Sequence, residues 1–332
     1  MSLAKALRSK SIMRIDSGRK LSPDTDMLAV EEPLEIRVGG RSVAVVMRTP
    51  GHDRELAAGF LVTEGLIRQR DDLLDIVRCT ARGDTDIDVS ASERESPAGM
   101  PVSPRRGTDI PVCVHGIGQT PDTDIDVSAS ERESPAGMPV ARPTGESAEN
   151  VLDVLLAPTA RVDLSQLTRH VFTSSSCGIC SKASIEAVKA QLPPLAEPLT
   201  PSRSVLVTLP QRLAAAQLAF AATGGLHASA LFNGDGTLEL AREDVGRHNA
   251  LDKVIGWAFF AEQLPLTGRI LLVSGRVSFE LMQKALAGGI ACVAAISAPT
   301  TAAVEFAEAN GQTLVGFLRG ERMNVYAGTL TD

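Results

Sequence analysis

The chain has 332 residues, of which 44% are hydrophobic, and its formal net charge is −7. A chain of this length and composition can build two domains with hydrophobic cores. The acidic balance argues against a general nucleic-acid surface, and aromatic residues, at 3%, are too few for base-stacking platforms.

Residues 1–26 are predicted to be a flexible tail. They are basic but lack the apolar core of a signal peptide. No stretch of the chain reaches the roughly 18 to 20 apolar residues that cross a bilayer. We therefore expect a cytoplasmic protein that does not enter a membrane.

Residues 27–170 are predicted to form a small, β-rich α+β domain. Apolar and polar residues alternate between Leu34 and Met47, and Gly39 and Gly40 interrupt the alternation. Two strands separated by a two-residue glycine turn are typical of a β-hairpin. The domain is therefore expected to begin with a hairpin.

One helix and two further strands are predicted in the same domain. Asp53 is expected to cap a helix that ends at Gly65. Asp75–Arg78 and Val151–Leu156 have the composition of strands. We expect these two strands to face each other.

Residues 81–147 are predicted to be a disordered insertion between those two strands. The sequence DTDIDVSASERESPAGMPV at 84–102 recurs letter for letter at 122–140. Two copies without apolar periodicity cannot stack a repeat fold, and the Asp, Ser, Pro and Gly content cannot bury enough apolar surface to order the segment. We interpret the insertion as a repetitive genetic element without a function of its own.

Two cysteines with Cys-x-x-Cys spacing, Cys177 and Cys180, lie where a loop gives way to a predicted helix. The N–H groups at a helix N-terminus favour thiolate, the form that attacks or carries sulfur. The alternatives are half of a zinc site or two incidental small residues. Cys113 and His115 could supply the other half, but they lie in the predicted insertion. We expect reactive thiols and no metal.

The two remaining cysteines, Cys79 and Cys292, lie in apolar runs and are predicted to be core residues. Five cysteines in 332 residues without a repeating framework also argue against a disulfide-stapled secreted protein.

Residues 171–332 are predicted to form an α/β domain with a largely parallel sheet. Strands are predicted near 227–232, 238–241, 269–273, 291–296 and 313–318, and helices near 211–222, 246–260, 278–287 and 300–309. In such sheets ligands collect at the carboxyl ends of the strands. We therefore expect the site in the loops at those ends.

Polar residues cluster in four of the predicted loops, at 224–227, 242–249, 274–276 and 317–322. Arginine beside glycine at a helix start suits a phosphate. Taken alone, Arg242, Asp244 or Arg247 could equally be a surface ion pair or a helix cap. His227 or His248 could equally be a structural histidine.

Together these segments resemble the FdhD family, the accessory sulfurtransferases of formate dehydrogenase. The matching motifs are Glu32–Val38, Met47–Pro50, Leu56–Ile67, Ser176–Cys180, Gly224–Ser229, Glu243–Lys253, Leu272–Arg276 and Arg319–Tyr326. The resemblance implies a homodimer whose larger domain is cytidine deaminase-like, giving an α/β fold that is α+β overall. It also implies a carrier that passes sulfur from a cysteine desulfurase to the molybdenum cofactor, bis(molybdopterin guanine dinucleotide), for formate dehydrogenase.

The resemblance also assigns site residues. Cys177 would carry a persulfide, and Cys180 would be either the partner thiol or a supporting residue. The cofactor would be contacted by Phe317, Leu318, Arg319, Gly320, Glu321 and Arg322. Weaker candidates for its guanine nucleotide arms are His227, Asp244, Arg247, His248 and Arg276.

Three other functions compete with this interpretation. A nucleotide deaminase needs His-x-Glu and a later Pro-Cys-x-x-Cys around zinc, whereas this chain has Ser229 two residues after His227 and no later Cys-x-x-Cys. A thioredoxin-like redox protein needs a strand and a βαβ context around its Cys-x-x-Cys. A cofactor-binding chaperone without sulfur transfer stays open.

Overall fold

The computed structural model describes residues 3–16, 19–79, 150–160, 195 and 197–332. The predictions for Cys177, Cys180, the helix behind them and the insertion at 81–147 lie outside these residues. The predicted domain boundary at 170/171 lies outside them as well.

The described part of residues 1–26 contains regular structure that the sequence analysis did not predict. A short helix α1 (Leu3–Ala6) leads into β1 (Leu7–Asp16), which pairs antiparallel with β2 (Arg19–Ala29). The base of this hairpin is closed by a hydrogen bond from Val30 N to Ala6 O, 2.8 Å long. The residues of its two strands are mostly polar. Backbone pairing defines these strands, and the sequence has no apolar alternation that would have predicted them.

A four-stranded sheet follows, with strand order β4-β3-β6-β5. Its strands are β3 (Glu32–Val38), β4 (Arg41–Arg48), β5 (Leu73–Arg78) and β6 (Val151–Leu156). The antiparallel pairs β3–β4 and β5–β6 confirm the predicted hairpin and the predicted facing strands. A parallel pairing of β3 with β6 joins the two hairpins.

Helix α2 (Asp53–Thr63) confirms the predicted helix, but Asp53 is not its cap. The cap position is His52, with φ at 58°. The Asp53 carboxylate instead accepts hydrogen bonds from Arg48 and from Arg78, at 3.2 and 2.8 Å. Burial would raise the pKa of Asp53, but the two guanidinium groups outweigh it and lower that pKa. The cap prediction is therefore wrong, because the arginines compete for the carboxylate.

The remaining strands form one six-stranded sheet with the order β12-β11-β10-β9-β7-β8. They are β7 (His227–Phe232), β8 (Leu238–Asp244), β9 (Ile270–Val273), β10 (Cys292–Ala295), β11 (Thr313–Arg319) and β12 (Arg322–Ala327). The described helices around it are α3 (Arg203–Leu206), α4 (Leu209–Ala216), α5 (Leu218–Thr223), α6 (Arg247–Phe260), α7 (Phe279–Ala287) and α8 (Thr301–Asn310).

The prediction of a largely parallel sheet is wrong. Only β9–β10 and β10–β11 are parallel, while β7–β8, β7–β9 and β11–β12 are antiparallel. The links between β7 and β8 and between β11 and β12 are short, and parallel neighbours need a crossover of a dozen or more residues. The sheet is therefore mixed, in an α+β fold.

The helix predicted at 211–222 is two helices, α4 and α5, separated at Gln217. Gln217 has ψ at 69°, so the helical hydrogen bonding restarts after it. The buried carboxylate of Glu243 accepts hydrogen bonds from Ala219 N and Phe220 N, at 2.9 and 2.7 Å. This carboxylate at a helix start stabilises the break, and the sequence pattern of α4 and α5 could not show it.

Two hydrophobic clusters cover the two faces of the six-stranded sheet. Side chains alternate between them along each strand, as Ile270 and Leu272 lie in one cluster and Leu271 and Val273 in the other. The second of these clusters continues into the four-stranded sheet through α2 and α6. Both predicted core cysteines are buried, and burial raises the pKa of the Cys292 thiol to about 12.

Helices α2 and α6 approach each other through glycine. A Cβ built on Gly59 would lie 1.8 Å from Asp252 O, and one built on Gly256 would lie 1.8 Å from Glu55 O. No side-chain carbon tolerates such a distance from a backbone oxygen. The crossing of the two helices therefore requires glycine at both positions.

We expect Gly59→Ala and Gly256→Ala each to lower the free energy of unfolding. Overpacking typically costs about 1–3 kcal/mol, and a clash with backbone on both sides should place these variants at the upper end. Urea unfolding measures the change. Gly225→Ala is the matched control, because its Cβ would meet nothing closer than 3.7 Å. Equal stability of Gly256→Ala and the control would contradict the close crossing.

We expect that residues 81–147 can be removed without disturbing the strands beside them. Arg78 pairs with Leu152, and Cys79 N donates to Val151 O at 3.0 Å, so the chain ends to be joined already lie together. Replacing 81–147 with a short Gly/Ser linker shortens the loop and reduces the entropy cost of closing it. We expect the thermal unfolding midpoint to stay the same or rise. A clear fall would show that the segment contributes to the fold.

Candidate functional site

The four predicted polar clusters meet at one edge of the six-stranded sheet. The segment 274–276 follows the carboxyl end of β9, and the segment 317–322 contains the carboxyl end of β11. His227 begins β7 and pairs with Asp244 at the end of β8, and both strands run so that these ends reach the same edge. The four polar clusters therefore converge as expected, although two of them lie on the antiparallel strands β7 and β8.

Two of these clusters differ locally from the predicted loops. Arg242, Glu243 and Asp244 lie within β8, and Phe317, Leu318 and Arg319 lie within β11. The loop between β11 and β12 is only Gly320 and Glu321. The sequence analysis missed β12, because its exposed polar residues give no clear apolar alternation.

A cavity of about 640 Å³ opens at this edge. Three of the four clusters contribute to its lining, through His227, Ser274 and Arg319. The rest of the wall comes from α4, α5, the residue between them, Gln217, and Ile296 after β10, and it is mostly apolar. A concave, largely apolar cavity of this size with a few polar groups is typical of a small-molecule site.

The fourth cluster adjoins the cavity through Gly275. A Cβ at Gly275 would lie 3.2 Å from His227 Nδ1 and 3.9 Å from Arg247 Cβ. Burial lowers the pKa of His227, and the nearby Arg247 and Arg276 lower it further. The imidazole is thus neutral at pH 7 and lies beside two guanidinium groups. The positive charge around His227 therefore favours binding of an anion.

Arg247 keeps unused hydrogen-bonding capacity. Its Nε is buried and has no hydrogen-bond partner in the part of the chain that the structure describes. It is the first residue of the fourteen-residue helix α6, so the helix dipole adds to its positive charge. A buried donor without a partner is costly, and an anionic ligand would remove that cost.

Phe317 has an unusual backbone conformation. Its φ is 52°, in the left-handed region, at an irregularity in the pairing of β11 with β12. Phe317 N donates to Ser297 O at 3.1 Å, which holds the conformation, and the residue is 41% exposed. Strain of about 1–3 kcal/mol at such a residue is characteristic of ligand-contacting positions.

The other members of this segment differ in exposure. Arg319, Gly320, Glu321 and Arg322 are exposed, whereas Leu318 is fully buried. Arg319 Nε donates to Ile296 O at 3.3 Å, which leaves the rest of its guanidinium at the cavity. This segment therefore offers both charge and an exposed aromatic ring beside the cavity.

Asp244 is fully buried, and its carboxylate is already occupied. It accepts from Thr49 N, Gly246 N and Asn249 Nδ2, at 3.1, 2.8 and 3.0 Å, and pairs with the buried Lys253 at 2.7 Å. With four donors on its two oxygens, Asp244 positions the start of α6 rather than facing the cavity. Arg242 likewise pairs with Glu55 of α2, 2.6 Å away.

His248 lies behind the edge, in a buried cluster with Glu280. Its Nε2 is 3.2 Å from Ser278 Oγ and 3.5 Å from Glu280 Oε2. Burial and the positive charge of Arg247 lower the pKa of His248 to about 3. Burial raises the pKa of Glu280 to about 7, and Glu280 Oε2 makes no hydrogen bond to any described residue.

The cluster continues to Lys284, one turn further along α7. Lys284 Nζ donates to both oxygens of Asp252, at 3.1 and 3.0 Å, and to Thr63 Oγ1 at 2.9 Å. Burial would lower the pKa of Lys284, but the Asp252 carboxylate raises it above its usual value. This ion pair ties α2, α6 and α7 together.

Sequence reasoning missed three functional or supporting residues, Gln217, Glu243 and Glu280. Gln217 interrupts the apolar stretch Leu213–Ala222, which was the one available signal, whereas Glu280 shares its helix with Gln283 and Lys284 and does not stand out. The role of Glu243 depends on contacts between β8 and α5 and has no local signature. Among the residues the structure describes, no three His, Cys, Asp or Glu side chains are grouped as metal ligands require. None of the described helices has the length and apolar character to span a membrane.

The fold and this edge define an α+β protein with a cavity suited to an anionic ligand. Residues 29–135 and 141–330 match the FdhD/NarQ family. The chain belongs to that family.

Proteins of three organisms illustrate the similarity to curated relatives named "Sulfur carrier protein FdhD". The Mycobacterium tuberculosis protein is 44% identical, covering 92% of this chain and 90% of the relative. The Streptomyces coelicolor protein is 42% identical, covering 98% and 95%. The Anaeromyxobacter dehalogenans protein is 37% identical, covering 91% and 87%.

One solved structure has a similar fold. It is a crystal structure of a protein from Desulfotalea psychrophila, described as a formate dehydrogenase accessory protein, with a TM-score of 0.61. The alignment covers 97% of each chain at 18% identity, so it supports the fold alone.

Glu280, whose side chain is 22% exposed, makes stability depend on pH. The pKa of Glu280 is about 7 in the folded chain, whereas the ordinary value of a glutamate is 4.5. The stability that this group contributes is therefore complete below about pH 4.5 and is lost as pH rises through 7. In Glu280→Gln the side chain stays neutral. We expect this variant to become more stable than the wild type as pH rises from 5 to 8, by about 1–3 kcal/mol.

Urea unfolding of both proteins at pH 5 and pH 8 measures this difference. Groups remote from Glu280 that titrate in both proteins cancel in the comparison, whereas the Asp252 charge acts on Glu280 and contributes part of the difference. Glu305→Gln, at an exposed glutamate of α8, is the control and should show the same difference at both pH values. A Glu280→Gln difference that does not grow with pH would mean that Glu280 is not buried in its neutral form.

Proposed function

We propose that this protein is a sulfur carrier that serves formate dehydrogenase. The observation that carries the proposal is its membership of the FdhD/NarQ family together with the Cys177–Cys180 motif. Relatives at 37–44% identity over most of their length are named as sulfur carrier proteins. Identity at this level over the whole chain supports a shared activity.

The proposed carrier residue is Cys177. Its thiolate attacks the outer sulfur of the persulfide on a cysteine desulfurase. The bond between that sulfur and the desulfurase cysteine breaks, the desulfurase leaves as a thiolate, and Cys177 becomes a persulfide. This exchange transfers one sulfur atom without net oxidation or reduction.

The second proposed step releases the sulfur. The Cys180 thiolate attacks the inner sulfur of the Cys177 persulfide, which forms a Cys177–Cys180 disulfide and expels hydrosulfide. The carried sulfur is reduced and the two cysteines are oxidised, so an external thiol must reduce the disulfide before the next cycle. If Cys180 is only a supporting residue, the thiol that releases the sulfur comes from another molecule.

The proposed acceptor is the molybdenum cofactor, bis(molybdopterin guanine dinucleotide), bound as a substrate. Its diphosphate groups suit the edge where the buried Arg247 Nε has no hydrogen-bond partner among the described residues and where Arg276 and Arg319 are exposed. Phe317, Gly320, Glu321 and Arg322 complete the proposed contact surface. His227 supports this surface directly, whereas Asp244 and His248 act from behind it.

The proposed partners are a cysteine desulfurase, formate dehydrogenase and a second copy of this chain. A cofactor-binding chaperone that transfers no sulfur is the second candidate. The chaperone function is favoured because the cavity and its arginines account for binding of the cofactor without any thiol. Deleting 81–147 is expected to leave sulfur transfer unchanged if the protein is a sulfur carrier.

Mass spectrometry after incubation with a cysteine desulfurase and cysteine tests the carrier function. We expect a gain of one sulfur, about 32 Da, on the Cys177 peptide and its loss in Cys177→Ala. In Cys180→Ala the persulfide should form and persist, because the releasing thiol is absent. Cys292→Ala, at a buried core cysteine, is the control and should gain sulfur normally.

Absence of added sulfur on either thiol in a correctly folded protein would overturn the carrier proposal. The chaperone function would then be the better account. Retention of cofactor binding by Cys177→Ala would support that alternative.

A further inference from the structure

The hairpin formed by β1 and β2 lies apart from the two larger sheets. Its strands are ten and eleven residues long, and no other described strand pairs with either of them. Its base contacts α5, and Ala29 Cβ lies 3.7 Å from the position of a Cβ built on Gly225. Further out, the residues of β1 from Arg8 to Ser11 are exposed. Because a two-stranded hairpin is marginally stable in water by itself, this one is a candidate for binding a further strand.

The outer edge of β2 is closed to a further strand. Pro23 has no N–H group to donate. The carboxylate of Asp24 accepts from Thr25 N at 2.7 Å, and that of Asp26 accepts from Met27 N at 3.0 Å. Proline and charged side chains on an edge strand prevent pairing with another chain. The outer edge of β2 is therefore protected.

The outer edge of β1 lacks this protection. In an antiparallel pair, residues whose backbone groups face the partner strand alternate with residues whose groups face away. The bond from Val30 N to Ala6 O fixes this alternation, and the carboxylates bound to the N–H groups of β2 agree with it. With the observed register, the outward groups of β1 belong to Leu7, Ser9, Ser11 and Met13. No other described residue hydrogen-bonds to these groups.

The charges of β1 indicate what kind of strand it accepts. The four residues with outward backbone groups are uncharged, whereas Arg8, Lys10 and Arg14 are cations at alternate positions between and beyond them. Arg14 pairs with Asp24 at 2.7 Å, and Arg8 lies 3.9 Å from Glu32, but both arginines are more than half exposed. Ion pairs at such exposure are weak, so these cations keep the capacity to bind further anions. Acidic residues at every second position of an added strand would lie beside them.

We propose that β1 binds an extended acidic segment of a partner protein as a third strand of this hairpin. Backbone hydrogen bonds to the outward groups of β1 hold the segment, and its alternate carboxylates pair with Arg8, Lys10 and Arg14. Because the base of the hairpin adjoins Gly225, the partner docks beside the ligand edge. The inference goes beyond the proposed function and does not depend on it.

A fluorescein-labelled peptide of sequence TEVETEVET tests the charge requirement by fluorescence anisotropy with the intact chain. We expect binding that weakens as salt is added. Arg8→Glu combined with Lys10→Glu should weaken it roughly 5-fold or more, because two attractive cross-strand pairs become repulsive. The matched control is Arg68→Glu combined with Arg203→Glu, which changes the net charge equally at exposed arginines outside the hairpin and should leave the affinity unchanged.

Two N-methylated peptides test the backbone requirement. One is methylated at the uncharged residues and the other at the glutamates. Pairing along one edge uses the N–H groups of every second residue, so one of these peptides should bind and the other should not. On the protein side, Ser11→Pro removes an outward N–H that β2 does not use and should abolish binding, whereas Ser11→Ala keeps this N–H and should bind normally.

The proposal is overturned if the unmodified peptide does not bind, or if both N-methylated peptides bind equally, since charge alone would then account for the attraction. The N-methylated peptides decide the matter even if Ser11→Pro disturbs the hairpin.

Two other occupants of the edge are distinguished by further measurements. A dimer that becomes a monomer on gel filtration in Ser11→Pro but not in Ser11→Ala would assign the edge to a second copy of this chain. Peptide binding that tightens about 10-fold or more when 81–147 is deleted would assign it to that segment. Either result would overturn the proposal of a partner protein.

Discussion

The close crossing of α2 and α6 at Gly59 and Gly256 is the constraint on which the site depends. Each glycine leaves room for a backbone carbonyl of the opposite helix, at Asp252 and at Glu55. A side chain at either position would push the helices apart. Because α6 begins at the ligand edge, any change in this crossing would also move the site.

Buried ion pairs also hold α2 and α6 in position relative to each other. Asp244 and Lys253 join the chain that leads into α2 to the start of α6. Lys284 of α7 contacts α2 through Thr63 and α6 through Asp252. These groups can stay buried because each finds several partners in good geometry. Their effect on function is indirect, since they hold the helix starts that face the cavity.

The predicted elements and the observed ones agree where the pattern is local. The apolar alternation of β3 and β4 and the helical spacing of α6 are properties of neighbouring residues, so the sequence was sufficient. The directions of β7 and β12, the break at Gln217 and the role of Asp53 depend on distant partners. For Asp53 the deciding partners were Arg48 and Arg78, and no local rule weighs a cap against an ion pair with other strands.

The candidate site divides in the same way. The amino-acid sequence by itself determined the Cys177–Cys180 motif, the arginine-rich and glycine-rich clusters and the resemblance to the FdhD family, since these are patterns of residue type and spacing. Only the tertiary structure decided that Asp244 is occupied and that Arg247 Nε has no hydrogen-bond partner among the described residues. The physical reason is that hydrogen-bond capacity is filled by groups far apart in the chain, so which groups are left for a ligand is known only once the chain has folded.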